Sequence, residues 1–292
     1  MLEIRQLEKH YKNFTVGPLD MSIEAGSATA LIGANGAGKT TLFRSIMGLI
    51  SRDGGIVSIG GEECDPAKGL WRQQLGYLGD YLPFYDRWSG AQNLKALSKF
   101  YPGWSASYAA ELVQRLQLNI SQKVGSYSTG QRTKLAIIVA LAHRPKLLLL
   151  DEPANGLDPV SRDEFLTILF EHMEAGDTAL LYATHHITEL EGLADRLIFF
   201  NGGHIYSDEV KEDLLERWRL LSFSVDQEIR NAPSAQLVRS ELPVQKLISS
   251  DHQSTLQFLE NEGVLDIAVS RMSTEEIAVQ VLKKMLREES NV

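Results

Sequence analysis

Short, mostly apolar runs punctuate the first two thirds of the chain. Ala28–Ile32 leads into glycines, and Leu147–Leu150 is four leucines followed by Asp151 and Glu152. Thr178–Ala183 and Arg196–Phe200 are two more such runs. Their length suits buried strands, although periodicity alone does not separate a buried strand from a buried helix segment. Helical patterns alternate with them over Lys39–Leu49, Arg132–His143 and an amphipathic Pro159–Ala175. Strand alternating with helix predicts an α/β sheet. Leu2–Ile4 and Met21–Ile23 read as antiparallel strands ahead of it. Residues 89–125 are largely helical in pattern, broken by Tyr101-Pro102-Gly103, and are read as a helical insertion.

The last eighty or so residues have a different texture. Strand-like runs at Leu220–Val225 and Leu265–Ser270 precede a helix from about Thr274 to Glu288. Ser273 and Glu276 are spaced as a capping box for that helix, and Ile277, Val281, Leu282 and Met285 form its apolar stripe. Glycine marks the boundary: of 23 glycines only Gly263 lies beyond residue 212. Tight turns and close backbone approaches therefore belong to the first part. The expected organisation is a ligand-binding domain over 1–212 and a small accessory domain over 213–292, with the seam near Asp208–Asp213.

Composition narrows the classes. The net charge is −9, and neither part is basic, so a nucleic-acid backbone is not the expected partner. The lone Cys64 permits no intramolecular disulfide, which fits a reducing compartment. The N-terminal stretch alternates charged and apolar residues and is not a secretory signal. The richest apolar stretch, Leu135–Ala142, is too short to cross a bilayer. The expectation is a soluble chain without membrane insertion, any membrane role coming through a partner.

Gly33-Ala34-Asn35-Gly36-Ala37-Gly38-Lys39-Thr40 matches G-x-x-x-x-G-K-[ST], between an apolar run and a helical pattern. Glycines there let backbone N–H groups turn inward around phosphates, and the following helix adds its positive end. Lys39 is placed to reach the β- and γ-phosphates, the Thr40 hydroxyl to hold Mg²⁺, and Thr41 extends the polar cluster. The leucine run delivers two carboxylates in sequence: Asp151 to support Mg²⁺, and Glu152 to polarise an attacking water.

Tyr127-Ser128-Thr129-Gly130-Gln131 precedes the helical pattern that leads into the Asp151 strand, and Pro153-Ala154-Asn155-Gly156-Leu157-Asp158 follows Glu152. With the phosphate loop, in this order, residues 1–210 resemble an ATP-binding cassette (ABC) ATPase, whose signature usually reads LSGGQ. The resemblance is closest to the ATPase subunits of ABC-2-type transporters, where the membrane subunit is a separate chain. Phe100–Trp104 and the helical region after it are similar to the bacterial acetoin-utilisation subfamily. It implies a mostly parallel core sheet, an antiparallel β-subdomain and a helical subdomain over about 89–130, joined to a small α+β C-terminal domain.

The resemblance also implies roles. Tyr11 matches the aromatic that stacks on adenine. His185 matches the switch histidine at the γ-phosphate, with His186 a competitor. Ser128, Thr129, Gly130 and Gln131 match the signature that meets the ATP held by the opposite protomer. Gly156 and Asp158 match the D-loop at the dimer seam, and Asp158 also stands where it caps the next helix. Two ATP molecules would lie between head-to-tail cassettes, in a homodimer or a heterodimer with a second cassette. The region Asp80–Trp88 would receive the coupling helix of a permease at the cytoplasmic face of the membrane. Departures are Tyr127 and Thr129 in the signature, Ala34 for a common proline, and Asp80 where the family has a glutamine. Asp80 still offers oxygens to Mg²⁺, but it is shorter and charged. The implied function is ATP hydrolysis that powers a transporter, export by analogy. The competing readings are a soluble non-transport ABC ATPase and a regulatory nucleotide-binding subunit.

Overall fold

The structure is a computed structural model that describes residues 1–65, 67–79, 84–184 and 187–290. It divides into two compact units, Met1–Ala194 with Ile198–Ser207, and Asp195–Leu197 with Asp208–Val292.

The first unit opens with a long hairpin, β1 (Leu2–Tyr11) and β2 (Phe14–Ile23). Leu2 pairs with Ile23 and Ile4 with Met21, so four apolar side chains share one buried face. The wholly buried β3 (Ala28–Ile32) follows and runs into the glycine loop and α1 (Lys39–Ile46). Helical periodicity extends to Leu49, but α1 stops at Ile46. Gly48 takes φ +62°, its N–H bonds to Ser45 O, and Leu49 N bonds back to Arg44 O at 2.9 Å. That is a glycine-terminated Schellman cap. β4 (Gly54–Ile59) and β5 (Glu62–Glu63) complete an antiparallel sheet in the order β2-β1-β4-β5.

The remaining elements mix strands and helices. They are β6 (Leu75–Leu78), α2 (Gly90–Leu97), α3 (Ala106–Arg115), α4 (Thr129–Leu141), β7 (Leu147–Asp151), α5 (Pro159–Glu174), β8 (Ala179–Ala183), β9 (Arg196–Asn201) and β10 (His204–Val210). The core sheet has the order β10-β9-β3-β8-β7-β6, and β3, β8, β7 and β6 are mutually parallel. This explains the four leucines of β7: a parallel strand covered on both faces needs no polar alternation. Leu147 and Leu149 join a core with Leu42, Phe43 and Ile46 of α1 and the inner residues of the antiparallel sheet. Leu148 and Leu150 point to the opposite face and are equally buried.

The second unit contains α6 (Lys211–Arg217) and builds an antiparallel sheet from β11 (Arg219–Ser224), β12 (Ala235–Glu241), β13 (Val244–Ser249) and, after α7 (His252–Asn261), β14 (Ala268–Arg271). Leu221, Phe223, Leu247, Leu259 and Val264 form its core. The final helix α8 (Thr274–Ser290) carries the expected box: Ser273 N donates to Glu276 Oε2 at 2.8 Å, and Glu276 N to Ser273 Oγ at 3.2 Å. Ile277, Val281 and Met285 are buried. The sequence reading did not include β12, β13 or α7.

Candidate functional site

The loop after β3 is shaped by contacts that exclude side chains. A Cβ on Gly33 would lie 2.2 Å from Phe200 O, and Gly38, at φ +104°, is pressed against the Phe14 ring. The tail of the loop is tied down by Gly203 N, which donates to Ala37 O at 2.9 Å. Between these fixed points Ala34–Thr41, with Phe14, Asp151 and Glu152, line a cavity of about 340 Å³.

Lys39 is the buried cation of this cavity. Its Nζ donates to Gly33 O at 2.7 Å and Ala34 O at 3.1 Å. Burial holds its pKa below the ordinary lysine range, while the Glu152 and then the Asp151 carboxylates oppose that shift. The Thr40 hydroxyl donates to Asp151 Oδ2 at 2.6 Å, across 111 residues of chain. A hydroxyl and one carboxylate at the foot of a phosphate loop fit Mg²⁺, which takes oxygen ligands and fills its other positions with water and phosphate oxygens. Among the described residues no cluster of three His, Cys, Asp or Glu side chains offers a denser metal cage.

Glu152 stands at the end of β7 with φ +52°, a left-handed backbone on a residue that has a Cβ. Such a conformation costs about 1 kcal/mol or more and persists only where the surroundings dictate it. Its N–H is held by Ala183 O at 2.8 Å and its carbonyl by Asn155 N at 3.1 Å.

The signature and D-loop residues do not line this cavity. Ser128 caps α4, accepting from Gln131 N at 3.2 Å, while Gln131 Oε1 accepts from Ser128 N at 2.9 Å. The signature glutamine thus completes a capping box that holds Ser128 and Thr129 at an exposed helix N-terminus. Gly130 packs on the D-loop: a Cβ there would sit 2.5 Å from Gly156 O, and Gly156 itself has φ +80°. Asp158 caps α5, accepting from Ser161 N at 2.9 Å and Ser161 Oγ at 2.7 Å. The Ser161 hydroxyl, then its amide, hold the Asp158 carboxyl below its usual pKa range.

Tyr11 lies outside the cavity lining, half exposed, with Lys9 Nζ 5.7 Å from its ring centroid. Phe14, its partner across the hairpin, lines the cavity instead. Its sequence signal is an aromatic directly after the turn Lys12-Asn13, three residues beyond Tyr11. Asp80 and His185, with the competitor His186, lie outside the described residues. Of the segment read as Asp80–Trp88, the described part exposes Tyr85 and Trp88, whose ring centroids lie 4.5 Å apart with the planes tilted by 31°. Asp86 bonds Arg132 of α4 at 2.6 Å, which ties this segment to the helix that starts at the signature.

Comparison with known proteins gives a consistent picture. The sequence profile described as "ABC transporter" matches residues 16–155. The ABC transporter ATP-binding protein YtrB of Bacillus subtilis is 30% identical over 264 residues, covering 89% of this chain and 90% of its own. The Nod factor export ATP-binding protein I of Burkholderia orbicola is 32% identical over 222 residues, covering 74% and 72%. A solved structure of an ATP-binding subunit of an ABC transporter superposes with a TM-score of 0.67 at 26% identity, covering 74% of this chain and 92% of that one. A dimeric post-hydrolysis ATP-binding cassette bound to ADP and Pi shares the fold, with a TM-score of 0.65 at 21% identity and coverage of 72% and 98%.

Proposed function

The chain belongs to the ABC transporter family as an ATP-binding, ATP-hydrolysing subunit, and on that premise we propose that it powers an ABC-2-type exporter whose membrane-spanning part is a separate permease. The observation that carries this reading is one cavity that gathers Lys39, Thr40, Asp151 and Glu152 from two strand ends. Export is supported by the name of the Nod factor relative. A separate permease is supported by the names of the relatives, which are ATP-binding proteins of transport systems.

The residues divide the work. The glycine loop and the α1 N-terminus bind the phosphates through backbone N–H groups. Lys39, held by two loop carbonyls, turns its ammonium to the β- and γ-phosphate oxygens. Thr40 and Asp151 hold Mg²⁺, which when bound offsets phosphate charge. Glu152 orients a water and accepts its proton as the water attacks the γ-phosphate. Phe14 or Tyr11 supplies the aromatic surface for the adenine, and His185 the γ-phosphate contact.

Ser128–Gln131, Gly156 and Asp158 lie off the cavity, which supports a role for them toward the ATP of a second cassette. The dimeric state of the solved cassette with the same fold supports a dimer here, as a homodimer or a heterodimer. Gly130→Ala tests the signature contact. Its Cβ meets backbone 2.5 Å away, so Gly130 and Gly156 must separate. Turnover is expected to fall about 100-fold, as a roughly 1 Å displacement of a positioning group does. Turnover equal to wild type would show that this contact is not needed.

Docking to the permease is supported by Tyr85 and Trp88 and by a neighbouring apolar cavity of about 260 Å³ lined by Met47, Leu49, Tyr77, Phe84, Leu97 and Tyr101. The deciding experiment captures the tagged protein from gently solubilised native membranes and identifies what accompanies it. A stoichiometric multi-span protein is the expected result. Ribosomes or a soluble partner, with no membrane chain, would overturn the transporter reading.

A further inference from the structure

Behind Glu152 lies a buried carboxylate that none of the motifs includes. Glu189 sits in a 3-10 turn, Ile187–Leu190, with its side chain 4% exposed. Its Oε2 accepts from the Tyr182 hydroxyl at 2.7 Å and from the Thr184 hydroxyl at 3.4 Å. Tyr182 and Thr184 are two positions apart along the strand direction, so their side chains share one face and flank Ala183. Ala183 O is the acceptor that holds Glu152 N at 2.8 Å. Glu189 Oε1 faces Arg162 Nε of α5 at 3.5 Å. Among the described residues neither of these two buried atoms has a hydrogen-bond partner.

We propose that Glu189 is a positioning residue for Glu152, acting through β8, with Arg162 as the third leg of the clamp. A buried carboxylate is costly unless several donors satisfy it. Here the hydrogen-bond donors, the Tyr182 and Thr184 hydroxyls, come from the strand end that holds Glu152, and Arg162 in the first turn of α5 adds its charge. The left-handed backbone of Glu152 needs a fixed acceptor, and Ala183 O is fixed only as firmly as the side chains on either side of it. The ion pair at 3.5 Å is longer than a charge-assisted hydrogen bond. A small shift of α5 closes or opens it. Arg162 N also bonds Asp158 O at 2.9 Å, so a displacement of the α5 cap reaches Glu152 through one ion pair and one strand end.

This inference rests on the reading of Glu152 as the base, so wild type and Glu152→Gln are measured alongside. The test is steady-state ATPase kinetics and melting temperature for Glu189→Gln, Arg162→Gln, the double variant and Arg162→Lys. Glutamine at 189 still accepts from Tyr182 but loses the charge. Arg162 is about one-third exposed, which makes its variants the safer folding test. For each single variant kcat is expected to fall ~10-fold, with KM for ATP within about twofold. The double variant should be no slower than the slower single, because the two groups act as one pair, and Arg162→Lys should recover most of the rate. Folded single variants with wild-type kcat would overturn the proposal, as would additive losses in the double or a rise in KM at constant kcat. An active Glu152→Gln would instead remove the reading of the base on which it stands.

Discussion

Replacing Glu152 with glutamine is expected to abolish steady-state ATP turnover while ATP binding is retained. The substitution keeps the shape of the side chain and removes its ability to accept a proton. General-base catalysis by a positioned side chain contributes roughly 10²–10⁴-fold, and the loss in kcat should fall in that range. Binding should survive because its machinery is elsewhere. Lys39 is held by Gly33 O and Ala34 O, and Thr40 by Asp151, with no hydrogen bond to the Glu152 carboxylate in either contact. The backbone at Glu152 is held by Ala183 O and Asn155 N, which the substitution leaves untouched. The measurement pairs turnover with nucleotide titration on the same sample. A Kd within about threefold of wild type, at a rate at least ~100-fold lower, is the expected pair of results. Retained turnover would remove Glu152 as the base.

What was legible in the sequence follows from how local each signal is. The phosphate loop is eight consecutive residues, and its four fixed positions, Gly33, Gly38, Lys39 and Thr40, all act on the same turn. The β7 run was readable because burial on both faces removes polar alternation, leaving four leucines and then the acids. The α8 cap was readable because Ser273 and Glu276 satisfy each other within one turn. The first hairpin was readable at its base, where Leu2–Ile4 faces Met21–Ile23, but not along the rest of its length, because bulges between Ile4 and Lys9 interrupt the alternation.

The signals that failed to reach the sequence are those made by distant partners. β12 is an edge strand with exposed residues along almost its whole length, so it has no buried face to give it a pattern. Gln245 of β13 is fully buried among its apolar neighbours because it holds the backbone of Ile229, donating to its carbonyl at 2.7 Å and accepting from its N–H at 3.0 Å. A glutamine in a strand pattern reads as solvent-facing, and only the fold shows the polar groups it serves. Phe14 and Glu189 belong to the same class: neither has a motif, and each is placed by elements far from it in the chain.

Lys39→Ala carries the largest expected effect on binding. The lysine is buried, its ammonium is bonded to two carbonyls, and the Asp151 and Glu152 carboxylates lie near enough to act on its pKa. Alanine removes the one cation among the residues lining the cavity, leaving both carboxylates to face the triphosphate. Hydrogen bonds to charged groups contribute about 1.5–3 kcal/mol each. Losing one or two of them at the phosphates predicts an ATP affinity roughly 10²–10³-fold weaker. The free protein should change less, since alanine also relieves the desolvation of a buried ammonium while leaving the two carbonyls without their donor. Melting curves separate these effects. Ligand binding stabilises by RT ln(1 + [L]/Kd), so at an ATP concentration ~100 times the wild-type Kd the wild type gains about 2.7 kcal/mol. With Kd raised ~100-fold the variant gains only about 0.4 kcal/mol under the same conditions. Nearly all of the ATP-induced rise in Tm should therefore vanish while the Tm without nucleotide moves little. An undiminished rise would mean that phosphates do not bind at this loop, and the assignment of the cavity would fall with it.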